Sequence, residues 1–175
     1  MRRIAYRPLF RALFFSLGCL FLTQTAAFAK NALPDDLQSL EIQDHYLPSD
    51  FREVGVIHGL SGQVVVIHRA KGEAFFGKPG DKIHENDELN TLADSRCRIR
   101  FYSDDVVNMA PETRFAVEAF EDQREEGKKS SLFSMVKGKA MFYALRLFRY
   151  RDTRFKVKTP TAIAVSYTHL RAHET

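Results

Sequence analysis

The sequence has very few cysteines, two among 175 residues, and this excludes a fold stabilised by a disulfide framework. Cys19 lies in an N-terminal segment that we predict is removed, so Cys97 has no partner within the remaining chain. A lone cysteine is usually a small buried hydrophobic side chain. We therefore predict that Cys97 packs in the core and is not a reactive thiol.

Long apolar runs are also scarce, and the most prominent one is short for a membrane span. Leu13–Leu22 holds about ten residues, whereas a transmembrane helix needs roughly 18–20. Four arginines precede this run, and the small-x-small motif Ala27-Phe28-Ala29 follows it. This order is typical of a secretory signal peptide, so we predict that residues 1–29 are removed after Ala29. An uncleaved membrane anchor is the alternative interpretation.

The remaining chain lacks an excess of charge of either sign. Of 26 basic residues in the whole chain, four lie in the signal peptide and one in the last eleven residues. One of the 22 acidic residues also lies in that tail, so residues 30–164 carry 21 basic and 21 acidic side chains. This balance removes the main electrostatic argument for a nucleic-acid partner.

The tail Val165–Thr175, VSYTHLRAHET, does not continue the pattern that precedes it. It resembles the translation of the transposase-end adapter that is joined to DNA fragments in sequencing libraries. A match over all eleven residues in one reading frame is improbable by chance. We therefore predict that residues 165–175 are an adapter artefact and that the native chain continues differently after Ala164.

Alternation of apolar and polar residues with period two predicts an all-β fold. Arg96–Phe101 places three arginines on one face and apolar side chains on the other, and Gly62–Arg69, Arg114–Phe120 and Arg154–Thr159 are further predicted strands. Short strands at intervals of about ten residues, joined by Gly/Pro turns, favour an antiparallel β-sandwich or roll.

Three segments are less regular. Residues 30–53 form a polar lead segment, in which Pro34 could open one short helix through Leu37, Leu40 and Ile42. Ala70–Leu89 has several glycines and a Pro-Gly pair, and we predict a turn-rich linker. Ser131–Phe148 fits a helical stripe and a strand almost equally well, so both assignments stay open.

The acidic residues of one turn are the first candidate site. Asp81, Glu85, Asp87 and Glu88 could suggest oxygen ligands for calcium. Aspartate in turns commonly caps backbone groups, however, and this is the interpretation we favour. The basic stretch Lys137–Lys158 could contact anionic lipid headgroups or polysaccharide, but a solvated strand face is the simpler reading.

No residue pattern indicates catalysis or a cofactor. Glu126–Ser131, EGKKSS, echoes the end of a phosphate-binding loop, but the glycine required five residues before Gly127 is absent. The histidines of residues 30–164 have no metal-ligand spacing, and we predict surface or structural roles for them: His45, His58, His68 and His84. We predict no catalytic, metal or cofactor-binding residue and no enzymatic activity.

Motifs in a characteristic order carry a resemblance to a known family. Gly80–Thr91, GDKIHENDELNT, precedes the strand Ser95–Phe101, which precedes Ser103–Val117 with its acidic turn and Pro-x-Thr break. Gly138 and Phe155–Ala164, FKVKTPTAIA, follow at the expected places. These residues resemble the periplasmic FecR domain over residues 54–164. In that family the last motif continues into one more strand, so the final strand is predicted to be missing here.

The resemblance implies an exported, non-catalytic binding or signalling module of the bacterial cell envelope, periplasmic or secreted. Its partner would be an unidentified envelope protein or polysaccharide, and loops within Ala70–Asn90 and Glu121–Ser131 would offer the contact surface. The alternative is a membrane-anchored regulator of sigma-factor activity in transport signalling. That alternative needs the run Leu13–Leu22 to remain uncleaved.

The origin of the tail is tested by sequencing the source DNA through codon 164 in a library made without transposase. We expect the reading frame to continue after Ala164 with a different sequence, one that resembles the Gly-Val-Arg-Gly-Thr strand of the family. An encoded Val165–Thr175 followed by a stop codon would contradict the adapter interpretation.

Overall fold

The computed structural model describes residues 33–143 and 150–169, and these ranges contain strands and turns but no helix. The expected all-β fold is therefore confirmed. No helix within the described ranges is long and apolar enough to cross a membrane. The predicted signal peptide, residues 1–29, and residues 170–175 of the tail lie outside the described ranges.

The strands of the described residues are, in chain order, β1 (Ile42–Gln43), β2 (Glu53–Ser61), β3 (Val64–His68), β4 (Glu73–Phe76), β5 (Lys82–His84), β6 (Asp87–Thr91), β7 (Arg96–Phe101), β8 (Val106–Met109), β9 (Arg114–Gln123), β10 (Lys128–Lys137), β11 (Ala140–Tyr143), β12 (Asp152–Lys158) and β13 (Ile163–His169). They form a large sheet, in the order β1-β4-β3-β6-β9-β10-β12-β13, and a small sheet, in the order β11-β8-β7-β2-β5.

Most neighbouring strands are antiparallel, but two pairs are parallel, which the sequence did not predict. β1 is parallel to β4, and β10 is parallel to β12. Parallel neighbours need a long connection. Between β10 and β12 the chain visits the small sheet as β11, and this visit provides the connection. The large sheet is therefore mixed.

The chain crosses from one sheet to the other six times between β2 and β11. We call each of these connections a passage, and each contains a residue with positive φ. Glycine adopts this conformation freely, and asparagine and aspartate do so more readily than other residues. The six residues are Gly62, Gly80, Asn86, Asp94, Glu112 and Gly138.

Two of these glycines lie where one passage packs tightly against another. A Cβ on Gly138 would lie 2.4 Å from the Cα of Thr113. The Thr113 hydroxyl accepts a hydrogen bond from the Lys139 N–H and donates one to the Lys139 carbonyl, both at 3.0 Å. A Cβ on Gly62 would lie 2.9 Å from the Cα of Ser95. The passages therefore hold each other in place.

The main core fills the space between the two sheets. The alternation predicted for β7 is confirmed, since Cys97, Ile99 and Phe101 are buried and the three arginines are exposed. Phe101 also contacts Phe133, with ring centroids 5.0 Å apart. Burial of these large aromatic and aliphatic side chains is the main source of stability.

The helix predicted from Pro34 to Ile42 is wrong. These residues form turns, with a bond from the Leu37 N–H to the Pro34 carbonyl, and the segment ends in β1. Leu37 is only 2% exposed and packs with Val65 and Ile67 on the outer face of the large sheet. The apolar side chains of the lead segment thus cover a sheet instead of lining a helix.

The linker predicted over Ala70–Leu89 contains β4, β5 and the start of β6, so half of its residues lie in strands. Strands of three to five residues between glycines and a proline look like turns in the sequence. The open assignment of Ser131–Phe148 resolves as β10 and β11 up to Tyr143, and residues 144–148 lie outside the described ranges. The proposed contact loops are therefore largely parts of sheets.

The edge beside β12 is occupied in the structure by β13, although a missing final strand was predicted. β13 pairs antiparallel with β12, from Ile163 opposite Lys158 to His169 opposite Asp152. The strand includes residues 165–169 of the tail, whose origin stays a prediction. Ile163 and Val165 remain exposed on it.

Burial raises the pKa of the Cys97 thiol to about 12, so little thiolate forms at neutral pH. In a Cys19→Ser chain, whose remaining thiol is Cys97, we expect a thiol-specific disulfide reagent to react at the rate of unfolding. Adding urea should expose the thiol and accelerate labelling by orders of magnitude. Labelling of the native chain as fast as a free cysteine would contradict this burial.

Candidate functional site

Two histidines and an aspartate from three different strands meet inside the sandwich. His68 ends β3, Asp87 begins β6 and His84 ends β5, so two residues come from the large sheet and one from the small sheet. Their side chains are at most 3% exposed. A buried carboxylate needs compensating partners, and here both partners are histidines.

His68 contacts an acceptor with each ring nitrogen. Nδ1 lies 2.6 Å from Oδ1 of Asp87, and Nε2 lies 2.9 Å from the Leu47 carbonyl. Burial opposes the charged form, but the bonds to Asp87 and Leu47 outweigh it and raise the pKa of His68. A neutral imidazole could donate only one of these bonds, so the geometry favours a doubly protonated ring.

His84 is bound to the same aspartate in a different way. Its backbone N–H donates to Oδ2 of Asp87 at 2.7 Å, which caps the tight turn between β5 and β6. Its ring nitrogen Nδ1 lies 3.5 Å from that oxygen and makes no hydrogen bond within the described part of the chain. The ring stacks on Tyr46 of the lead segment, with centroids 6.4 Å apart.

The sequence did not predict this cluster, because its members are joined by strand pairing. The register of β3 and β6 sets His68 directly opposite Asp87. The turn at Asn86 joins β5 to β6 and so places His84 of the small sheet beside Asp87. The predicted structural role of His68 and His84 is compatible with this arrangement, but their grouping was not foreseen.

The acidic cluster considered for calcium is dispersed in the structure. Asp81 accepts a hydrogen bond from the Lys78 N–H at 2.7 Å, as expected of a turn-capping residue. Glu85 accepts from the Phe120 N–H, and Glu88 pairs with Arg114 at 2.7 Å. Each carboxylate thus has its own protein partner, and no shared oxygen site forms among them.

The resemblance of EGKKSS to a phosphate-binding loop is also not matched by the geometry. Gly127 lies in the turn between β9 and β10, and Lys129 points inward rather than toward solvent. Its Nζ lies 2.5 Å from Oδ2 of Asp105 and above the ring of Tyr150. This lysine therefore links the two sheets as a buried ion pair.

The outer face of the small sheet is a second candidate site. We call the exposed surface formed by three strands the arginine face: Arg96, Arg98 and Arg100 on β7, Asn108 on β8, and Met141 and Tyr143 on β11. Strand register places Arg98 beside Asn108, and Asn108 beside Met141. These side chains form a continuous surface across the sheet.

The charges on this face are unbalanced. Lys82 of β5, the edge strand beyond β2, is neutralised by Glu53 at 2.5 Å. Arg98 donates to the neutral Asn108 at 2.8 Å, and within residues 33–143 and 150–169 neither Arg96 nor Arg100 has a hydrogen-bond or ion-pair partner. Three positive charges therefore remain available to an external partner.

The described basic residues at the end of the stretch Lys137–Lys158 do not belong to the arginine face. Arg154 and Lys158 are exposed on β12 of the large sheet, whereas the arginine face belongs to the small sheet. Arg154 pairs with Asp152 at 3.7 Å. This placement agrees with the solvated strand face predicted from the sequence.

The described residues form an all-β domain of two sheets that carries the sequence motifs in their characteristic order. The family model described as "FecR protein" matches residues 87–174, about half of the chain. The chain belongs to the FecR family. This is a regulatory family typically associated with the periplasm and cell envelope, and it is not an enzyme family.

The match begins at Asp87 of the buried cluster and includes all of the arginine face. It also includes most of the tail, so it does not decide whether residues 165–175 are encoded. No curated protein and no solved structure matches the chain.

Replacing Asp87 by asparagine tests the buried cluster. Asp87→Asn leaves His68 without its anionic partner, and breaking a buried ion pair typically costs about 3–5 kcal/mol. We expect the free energy of unfolding in urea to fall by that amount. Asp94→Asn is the control, since Asp94 is exposed with a positive φ that asparagine tolerates, and it should change stability by less than about 0.5 kcal/mol. Equal effects of the two substitutions would contradict the assigned role.

Proposed function

We propose that this chain is an exported, non-catalytic binding module of the cell envelope, and that its arginine face binds an acidic surface of another envelope protein. The observation that carries the proposal is the row of exposed arginines on β7, two of them without partners in the described ranges. Family membership supports a signalling-related envelope role.

The position of the arginines favours a binding role. Alternate residues of a strand lie roughly 6.6–6.8 Å apart on one face, so Arg96, Arg98 and Arg100 form a regular cationic row. β7 is the middle strand of the small sheet, with two strands on either side. The row is therefore held on a rigid support, which lowers the entropy cost of binding.

The apolar side chains beside the row favour a protein as the partner. Met141 is 57% exposed and Tyr143 is 43% exposed, next to Asn108 and Val106 respectively. Arginine, tyrosine and methionine are enriched at protein interfaces, where lysine and glutamate are depleted. A polysaccharide would use the charges but would gain less from the exposed methionine.

Site-specific photo-crosslinking in cells that export the chain tests the proposal. We would place benzoylphenylalanine at position 108, within the arginine face, and at position 130, on the outer face of the large sheet, as the matched control. We expect an adduct from position 108 whose size glycosidases do not change, and no adduct from position 130. The pair Arg96→Glu and Arg100→Glu should reduce the adduct by about tenfold, equivalent to about 1.4 kcal/mol.

Arg154→Glu is the charge-reversal control, because Arg154 is exposed on the other sheet. It should leave the adduct unchanged. An adduct whose size falls after glycosidase treatment would point to polysaccharide and overturn the choice of partner. Equal crosslinking from positions 108 and 130 would overturn the arginine face as the binding surface.

Export is tested separately by sequencing the N terminus of the protein recovered from the periplasm or medium. Cleavage after Ala29 should give a chain that begins at Lys30. A membrane-bound chain that keeps residues 1–29 would contradict the proposed export and support the anchored sigma-factor regulator instead.

A further inference from the structure

The His68–Asp87–His84 cluster brings together side-chain atoms that could bind a metal ion, and one of them makes no hydrogen bond within the described residues. One ring nitrogen of each histidine and one carboxylate oxygen of Asp87 lie within 4.8 Å of one another. The Nδ1 atom of His84 is buried and makes no hydrogen bond within the described part of the chain. A buried polar atom without a partner is unfavourable unless another group serves it.

We propose that this cluster is a binding site for a divalent transition-metal ion of the zinc type. Two imidazoles and one carboxylate are a typical set of three protein ligands for zinc. Calcium and magnesium prefer sites made of oxygen ligands, so this set does not favour them. The ligands are Nδ1 of His68, Nδ1 of His84 and a carboxylate oxygen of Asp87.

One distance is already close to the value that a tetrahedral ion requires, and all the ligand atoms lie within 4.8 Å of one another. With metal–ligand bonds of about 2.0–2.1 Å, neighbouring ligand atoms lie roughly 3.3 Å apart. Nδ1 of His84 and Oδ2 of Asp87 are already 3.5 Å apart. Nδ1 of His68 and Oδ1 of Asp87 are 2.6 Å apart and share a proton. When the ion binds, that proton leaves to solvent and the two atoms separate by several tenths of an ångström.

The groups around the cluster hold the ligands in the required orientation. The second ring nitrogen of His68 contacts the Leu47 carbonyl at 2.9 Å, and metal-binding histidines usually donate that second N–H to a carbonyl or carboxylate. The His84 backbone N–H holds Oδ2 of Asp87 at 2.7 Å. Tyr46 packs against the ring of His84 and Phe75 against the ring of His68, which limits the rotation of both imidazoles.

A bound ion would join the two sheets directly, because His84 belongs to the small sheet and the other ligands belong to the large sheet. Binding to the folded chain alone raises its stability by mass action. The site therefore has two independent readouts, metal affinity and thermal stability, and neither depends on the arginine face or on its partner.

The test uses the full chain, stripped with a chelator and titrated with Zn²⁺ by calorimetry. We expect one high-affinity ion per chain and a higher melting temperature with Zn²⁺. His68→Gln and His84→Gln should each weaken binding by at least about 100-fold, since loss of even an outer partner of a metal ligand costs 10–100-fold. Both variants should also lose the thermal shift.

Two controls address three of the four other histidines. His58→Gln removes an exposed imidazole of β2, and the pair His169→Gln and His173→Gln removes those of the tail; both should bind Zn²⁺ as the unaltered chain does. If the His68 and His84 variants do not fold, Co²⁺ added to the unaltered chain should shift the NMR ring signals of two histidines only. Absent binding, or binding that these controls abolish, would overturn the proposal.

Discussion

The structure depends on one constraint: a chain that repeatedly changes sheets must turn sharply within a few residues and pack its turns against one another. Every passage between β2 and β11 uses a residue with positive φ. At Gly62 and Gly138 the neighbouring backbone is so close that even a methyl group would overlap Ser95 or Thr113. Because close-packed interiors tolerate little added volume, these contacts fix how the sheets face each other.

Both candidate sites are consequences of these passages. The passage from β5 to β6 turns at Asn86 and brings His84 of the small sheet to Asp87, which the register of β3 and β6 has set opposite His68. A buried aspartate with two histidine neighbours forms there. The passage from β6 to β7 sends the arginine row to the outside of the small sheet. The passages therefore bury the histidine–aspartate cluster between the sheets and leave the arginine face exposed to solvent.

Local chemistry could be predicted from the sequence, whereas long-range pairing could not. The alternation of Arg96–Phe101 predicted a strand with one buried face, and burial confirms it. β6, with the sequence DELNT, looks polar but is buried on both faces, and on its outer side Glu88 pairs with Arg114, which in turn pairs with Asp36 of the lead segment. Nothing in the spacing of His68 and Asp87, nineteen residues apart, indicates that strand pairing joins them.

The claim that packed passages fix the fold is tested most directly by comparing Gly138→Ala with Gly72→Ala in urea unfolding. Both glycines have positive φ, but Gly72 has open space around its Cβ position and Gly138 meets Thr113. We expect Gly72→Ala to cost about 1–2 kcal/mol from its backbone conformation alone. Gly138→Ala should cost a further 1–3 kcal/mol or so from overlap, or abolish cooperative unfolding. Equal costs for the two substitutions would contradict the account.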